Sequence, residues 1–593
     1  MKQHFQISQF LNFPILLLLA LATTTTAQTS HRTKSGLTII DETLAPDGRA
    51  WSHGTMFHRF VVENPSDRRR EVTIRIPNSS YGEGLASLSG SVIVEAHGRS
   101  VIELPRPAVS AGWGGASISE PGRETASIEV FAGNPQRMGA PLVLLSGSLS
   151  AEIMVKQFEK ISERYVDSLS GYYSSSEKKM SPTRLTRDPA LWPQNWLAYS
   201  PYDGVVVHTD DYTKMPDAAR DALTRYTEAG GTLVIAGQGE FAVAKKGFGA
   251  NITTASADMA AWDESTKQKL FNAFAATKKP WSVASTGYYG RRHSYHSENY
   301  NLDNLLSAIP TGGGTSVPVN TFFVLLFVFV VLAGPGAVIF LAKRNQRIRL
   351  LWIVPAFSLG FSAVIFAGIY FVEGFTPTMR RHAITLLDQT NRTAVTLGAV
   401  GVYAPSALRG GLEFESGTEV SPLLYDTIRG ARIHSGAKQV YTGGWVPPRM
   451  SAFFHLRRSE TRHERLMIEE RDDGTIEVVN ALGADIEQIQ LYDGNLNLHT
   501  FGKIPANGKV VLNATGNKAK TETDQWFKAL YVENAYDAKA GWNYKNVSDN
   551  LFRLQPGHPR TYAVKLATCP FIENPLPKRT TKGTEEAVVV GRY

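Results

Sequence analysis

Five residues stand where chemistry could be done: His208, Asp210, Asp211, Gly237 and Gln238. The first three close an apolar run at 202–207, and the last two follow a second run at 232–236. Two such runs, separated by an amphipathic stretch at 217–229, predict neighbouring strands of a parallel sheet covered on both faces. Open sheets of this kind bind ligands beyond the carboxyl ends of their strands. An imidazole, two carboxylates and a carboxamide gathered there could hold a polar ligand. They are therefore the candidate ligand-binding residues, and no catalytic residue and no metal site is assigned.

Other motifs point less clearly to chemistry. Gly237-Gln238-Gly239-Glu240-Phe241-Ala242, with Asp258 further on, fits the spacing of a dinucleotide fingerprint. That fingerprint should close the first strand of its unit, and this strand is not the first, so no cofactor is expected. Gly112-Trp113-Gly114-Gly115 lacks the Lys-Ser/Thr of a phosphate cradle and reads as a turn. His293 and His296 are spaced too loosely to make a metal site by themselves. Trp445 and Trp542, if exposed, could stack on sugars, although core or turn packing is the commoner use of such rings. No carboxylate pair with a glycosidase setting stands out.

The strand-end residues need a scaffold, expected over residues 140–310. A strand at 141–146, a helix at 151–164, a strand at 202–207, the helix at 217–229 stopped by Gly230-Gly231, and a strand at 232–236 form an α/β succession. The stretches YDGVVV and LTRYTEAGGTLVIAGQGEF resemble the class I glutamine-amidotransferase-like fold. The resemblance implies a flavodoxin-like α/β domain whose second strand ends on a sharp turn bearing a nucleophilic Cys, assisted by a His and an acid. Here that turn reads Ala236-Gly237-Gln238-Gly239, with neither Cys, Ser nor Thr. The covalent route lacks its first step, and the resemblance implies a degenerate site.

The chain has 593 residues, room for several domains. Hydrophobic residues make up 43% and charged residues 20%, as in globular protein. The net charge is +8 and the pI about 9.2, but basic and acidic residues interleave, and Arg68-Arg69-Arg70 has no aromatic neighbours of the kind that stack on bases. No nucleic-acid partner is expected. The single cysteine, Cys569, rules out an internal disulfide and a cysteine zinc site. An exported chain without disulfides suits a bacterial envelope, where the sequons at Asn78, Asn251, Asn391, Asn513 and Asn546 would carry no glycan.

Residues 1–27 read as a signal peptide, with an apolar stretch at 13–22 and a small-residue cleavage site at Thr25-Thr26-Ala27. Residues 319–342 and 350–372 are uncharged and long enough to cross roughly 30 Å of hydrocarbon as helices. The loop 343–349 between them carries Lys343, Arg344, Arg347 and Arg349 and no acid, which places it in the cytoplasm. The expected location is the bacterial inner membrane, with both flanking regions on the periplasmic side and the lipid bilayer as one partner. Neither span contains an Asp, Glu, Lys, Arg or His, so the hairpin reads as an anchor and not as an ion pathway. Gly334-Pro335-Gly336 and Pro355 are expected to kink the helices.

Both flanks are β-rich. Strands are predicted at 57–62, 71–77, 91–94 and 100–104 within an immunoglobulin- or fibronectin-like sandwich at 37–135. A second β-rich region spans 375–593, with strands at 383–387, 393–403, 475–480, 486–492 and 508–512 and a helix at 522–536 packing Trp526 and Phe527. The stretch from the SVPV lead-in through LAGP, the basic loop, LLWIVPAF, and GFTP with RRHAITLLDQTNRTAVTLGAVGVYAPS resembles uncharacterised bacterial double-span membrane proteins. In that group an amidotransferase-like outer domain often precedes the hairpin, so the resemblance implies an architecture and no chemistry. The expected function is a non-enzymatic, membrane-anchored scaffold that binds a protein partner of the cell envelope. The alternatives are a hydrolase-like enzyme or ligand sensor using the strand-end pocket, and an accessory subunit of a transporter.

Overall fold

The computed structural model describes residues 29–44, 53–77, 87–107, 114–121, 123–130, 142–168, 182–238, 247–281, 319–344, 347–373, 376–422, 430–514 and 559–593. The readings placed on the signal peptide, on His293 and His296, on Trp542 and on the helix at 522–536 lie outside these residues. Within them the protein is mostly β, with several sheets, a few helices and two long apolar helices.

Near the N-terminus, strands Thr29–Arg32, Thr38–Asp41, Thr55–Glu63 and Arg99–Pro107 form a four-stranded antiparallel sheet. The β-branched and aromatic run of Thr55–Glu63 favours a pleated, buried surface. Asn64 secures the Asn-Pro turn that ends it: its Nδ2 donates to the carbonyls of Arg68 (2.7 Å) and Glu95 (3.0 Å), and its Oδ1 accepts from Ser66 Oγ (2.6 Å). Strands Arg70–Ile76, Ser87–Val94, Gly114–Glu120 and Arg123–Val130 belong to another sheet. Gly114 and Gly115, read as a turn, instead open a strand. A Cβ on Gly115 would lie 3.0 Å from the Ile128 carbonyl oxygen, so a close cross-strand approach accounts for the glycine.

That second sheet does not end with N-terminal strands. Arg432–Ser435 pairs in parallel with Ser87–Val94, Lys438–Thr442 adds beside it, and Leu412–Glu415 completes seven strands. Segments on either side of the two apolar helices thus share one hydrogen-bonded ladder. Their side chains also share one core: Phe60, Val72 and Ile74 from the N-terminal part belong to the same buried cluster as Phe414, Phe454, Ile489 and Val589. Each such large apolar side chain contributes roughly 1.5–3 kcal/mol by leaving water.

The C-terminal part is built on an eight-stranded sheet. Thr378–Asp388, Thr393–Tyr403, Ser451–Thr461 and Glu419–Pro422 run antiparallel on one side. Glu585–Arg592 pairs in parallel with the first of these and leads on to Thr561–Leu566, Ile486–Tyr492 and Leu498–Phe501. Arg465–Glu470, Ile476–Ala481 and Lys509–Leu512 form a separate three-stranded sheet. Trp445 is buried, its indole N–H donating to the Arg432 carbonyl (3.1 Å), so it offers no stacking face.

Between these regions in sequence lies a five-stranded, wholly parallel sheet. Its spatial order is Thr183–Leu185, Val143–Ser146, Gly204–His208, Thr232–Ala236, Ala250–Thr254. Helices Glu152–Ser168, Asp217–Glu228 and Glu264–Trp281 accompany it. Asp217–Glu228 buries Ala219, Ala222, Leu223 and Tyr226, the spacing of one helical face, and ends before Gly230, whose φ of +112° an L-residue would resist.

The apolar helices follow. Phe323–Lys343 and Leu350–Ala367 have mean hydropathies of 2.8 and 2.1, and only 6% and 0% of these windows are buried, unlike the core helix of a soluble domain. They are long and apolar enough to cross a membrane. At Leu332–Gly336 the first widens into a π-turn around Pro335, the local adjustment that a missing backbone N–H requires. Phe329 stacks between the helices against Phe357 and Phe361, with ring centroids 5.9 and 5.0 Å apart.

Candidate functional site

The strand-end residues are brought together, and most of their polar atoms are engaged within the fold. His208 ends the Gly204–His208 strand and caps the short helix Thr209–Lys214, its Nδ1 accepting from the Asp210 N–H at 3.1 Å. Because Nδ1 accepts, the ring proton of the neutral imidazole sits on Nε2. The His208 N–H donates to Ser146 Oγ (2.9 Å), which ties this strand end to its neighbour.

Asp211 is buried and accepts twice from Ser148, from the backbone N–H (2.9 Å) and from Oγ (2.7 Å). Its carboxylate thereby fastens the turn after one strand to the helix after the next. Asp210 points to solvent, with its Oδ2 3.7 Å from His208 Nδ1. Gly237 takes φ +130°, its N–H donates to the Thr254 carbonyl (3.0 Å), and a Cβ there would meet Thr209 Oγ1 at 2.7 Å. Gln238 is exposed beside it. Thr232–Ala236, which precedes this turn, is not the first strand of its sheet, so the dinucleotide reading finds no support in the strand order. Asp258 caps the turn Met259–Ala261, accepting from the Ala260 N–H (3.0 Å).

Asp203, of the Tyr202-Asp203-Gly204 stretch, is more deeply embedded. Its Oδ1 lies 2.7 Å from His53 Nε2 and its Oδ2 accepts from the Leu142 N–H at 2.7 Å, with both side chains of the pair 1% exposed. The Thr55 N–H donates to Ser200 Oγ (2.8 Å), while Leu44, Met56 and Phe57 enter the core beside Trp192, Trp196 and Tyr199. The N-terminal strands are therefore docked on the parallel sheet. Sequence reasoning saw Asp203 only as part of a motif, since its partner stands 150 positions away.

The parallel sheet also docks on the eight-stranded sheet through charge. Arg457 and Glu419 form a buried pair at 2.6 Å, and Arg457 also donates to the Ala229 carbonyl (3.1 Å) at the end of the Asp217–Glu228 helix, where a cation complements the helix dipole. Ser459 Oγ donates to Glu228 Oε2 (2.5 Å), Arg225 donates to the Ser459 carbonyl (3.0 Å), and the Trp196 indole donates to the Gly417 carbonyl (2.9 Å). Nearby, Arg458, Glu460, Thr461, Arg462, His463, Glu464 and Ala481 line an open depression of about 600 Å³. Its charges are paired internally: Arg462 meets Glu460 (2.7 Å) and Glu464 (2.9 Å), and Arg458 meets Glu573 (3.1 Å). Burial raises the Glu460 carboxyl above its ordinary range despite the opposing pull of Arg458 and Arg462. The cluster is mostly one run of alternating charges, Arg458 to Glu464, which by itself reads as a solvated strand end; only Ala481 and Glu573 join it from elsewhere.

No protein-family model matches the chain, and no curated protein matches it. Among solved structures, the yeast delta-COP-I mu-homology domain complexed with Dsl1 WxWxV peptide aligns over 37% of this chain and 95% of its own, at 7% identity and a TM-score of 0.17. An exo-chitosanase of Amycolatopsis orientalis, in complex with PNP-beta-D-glucosamine, aligns over 81% of this chain and 60% of its own, at 11% identity and a TM-score of 0.17. Similarity at that level carries no functional argument.

Proposed function

We propose that this chain is a membrane-anchored scaffold of the bacterial envelope, whose β-rich regions and amidotransferase-like α/β unit form one body on the outer side of the inner membrane and bind a protein partner there. The observation that carries this reading is the parallel pairing of Ser87–Val94 with Arg432–Ser435. These strands flank the two apolar helices in sequence. A sheet with open edges cannot lie in hydrocarbon, so both flanks would occupy the same side and the helices would cross as a hairpin. The basic loop then falls on the cytoplasmic side.

A scaffold role, and not catalysis, is supported by the way His208 and Asp211 serve as structural caps and by the Gly237-Gln238 turn that stands where a nucleophile would be needed. The five-stranded parallel sheet supports the α/β layout that the resemblance implied. The test is turnover by the purified full-length protein on amide, ester and glycoside substrates, beside Asp210→Ala and His208→Ala variants. The scaffold reading expects no difference between wild type and variants. Hydrolysis that disappears in either variant overturns it in favour of the strand-end enzyme.

A further inference from the structure

We propose that the base of the eight-stranded sheet carries a basic collar that seats on anionic phospholipid headgroups. This rests on the membrane-anchored reading above. The helix Leu350–Glu373 has 24 residues, about 36 Å at ~1.5 Å per residue, against roughly 30 Å of hydrocarbon, so its last turn already reaches the headgroup zone. The strand Thr378–Asp388 starts a few residues later. At about 3.5 Å per residue the connection cannot carry Thr378 more than ~20 Å from the helix end.

Strand register then fixes what surrounds Thr378. Tyr403 lies opposite Thr378, and Ser451 lies opposite Tyr403. Beyond Tyr403 the chain runs on to Arg409, and Arg449 and Met450 directly precede Ser451. Lys582 bridges to Thr378 itself, donating its N–H to the Pro377 carbonyl (2.9 Å) and accepting from the Met379 N–H (2.7 Å). Arg579 donates to the Arg409 carbonyl at 2.7 Å, which joins the two loops. Arg409, Arg449, Lys578 and Lys582 are exposed, and Met450 stands exposed among them.

The acids at this end do not cancel these charges. Glu413 is engaged by Lys578 (2.9 Å), and Glu585 by the buried Arg381. Glu586, together with Glu373 at the helix end in the sequence, is outnumbered by Arg380, Arg409, Arg449, Arg579 and Lys582, so the balance of charge at this end is positive. Basic side chains held within about 10 Å of an anionic surface are drawn to it and released by salt. A thioether at the same level can enter the interface.

The test is hydrogen–deuterium exchange on the full-length protein in nanodiscs of phosphatidylcholine alone and of an equimolar phosphatidylcholine–phosphatidylglycerol mixture. Amides of 404–411, 447–451 and 577–583 should exchange about fivefold more slowly in the anionic discs. That protection should vanish in about 0.5 M salt, and in Arg409→Glu/Lys582→Glu, while the core strand Thr393–Tyr403 stays equally protected. Equal exchange in the two lipid mixtures, or protection that survives salt, overturns the collar while leaving the anchor in place. A chain that enters neither disc overturns the membrane reading and the collar with it.

Discussion

Ser435 lies opposite Gly90 in a parallel ladder, although two apolar helices separate them in sequence. Beside them Ser89 Oγ lies 3.3 Å from His434 Nδ1, across 345 positions. The seam is tight at Gly90: a Cβ there would lie 2.7 Å from Leu104 Cδ2 and 3.1 Å from the Ser435 carbonyl oxygen.

Gly90→Val should therefore destabilise the body by about 1–3 kcal/mol, the usual cost of overpacking a close contact. Denaturant unfolding of the purified protein in detergent would show a lower midpoint. An unchanged midpoint would mean that the two segments are not packed at this seam.

The Arg457–Glu419 pair makes a second prediction. Removing one partner leaves the other charged, buried and uncompensated, so Arg457→Met should cost about 3–5 kcal/mol. Glu419→Leu added to it should recover most of the loss. A double variant no more stable than the single one would contradict the pairing.

Acid should loosen the protein through its buried imidazoles. Burial, aided by Arg106, lowers the His58 pKa from 6.5 to about 3, and burial with Arg457 lowers that of His455 to about 4. In the unfolded chain both rings bind protons near pH 6.5, which their folded counterparts refuse until far lower pH. Their contribution is complete above pH 6.5 and drains as pH falls towards 4 and then 3. The melting temperature of wild type should fall between pH 7 and pH 4, and His58→Phe should flatten that fall.

At the strand ends, Ser148→Ala and Asp211→Asn should each destabilise by about 1–3 kcal/mol, because each leaves a buried polar group short of its partner. Gln238→Ala, at an exposed position, should be neutral within about 0.5 kcal/mol. A thermal-shift series would reveal a ligand site instead if Gln238→Ala abolished stabilisation by a small polar compound.

The sequence was most informative where burial follows a local period. The apolar runs at 202–207 and 232–236 became parallel strands, the Asp217–Glu228 helix showed its face in advance, and the Gly-Pro-Gly stretch marked a backbone irregularity in the first apolar helix. It was silent where partners are distant. Arg432–Ser435 is a short strand of mixed polarity whose ladder is decided by residues far upstream. His53 gives no sign of meeting Asp203, and although core packing was the commoner reading for Trp445, nothing in the sequence named Arg432 as the carbonyl its indole would meet. At the candidate site the residue types were legible, but their engagement was not, because Ser148 lies 63 positions from Asp211.

Both flanks of the apolar hairpin should share one side of a membrane. Cys569 makes it directly measurable, because burial pushes its thiol up to about 12 and keeps it silent to labelling at neutral pH. Glu95→Cys, Asp472→Cys and Ile348→Cys, all at exposed positions, would be treated with an impermeant maleimide in sealed vesicles of known orientation. The account predicts that Glu95→Cys and Asp472→Cys react from the same, extracytoplasmic side and Ile348→Cys only from the other. Labelling of the first two from opposite faces, or of all three from one, would contradict it.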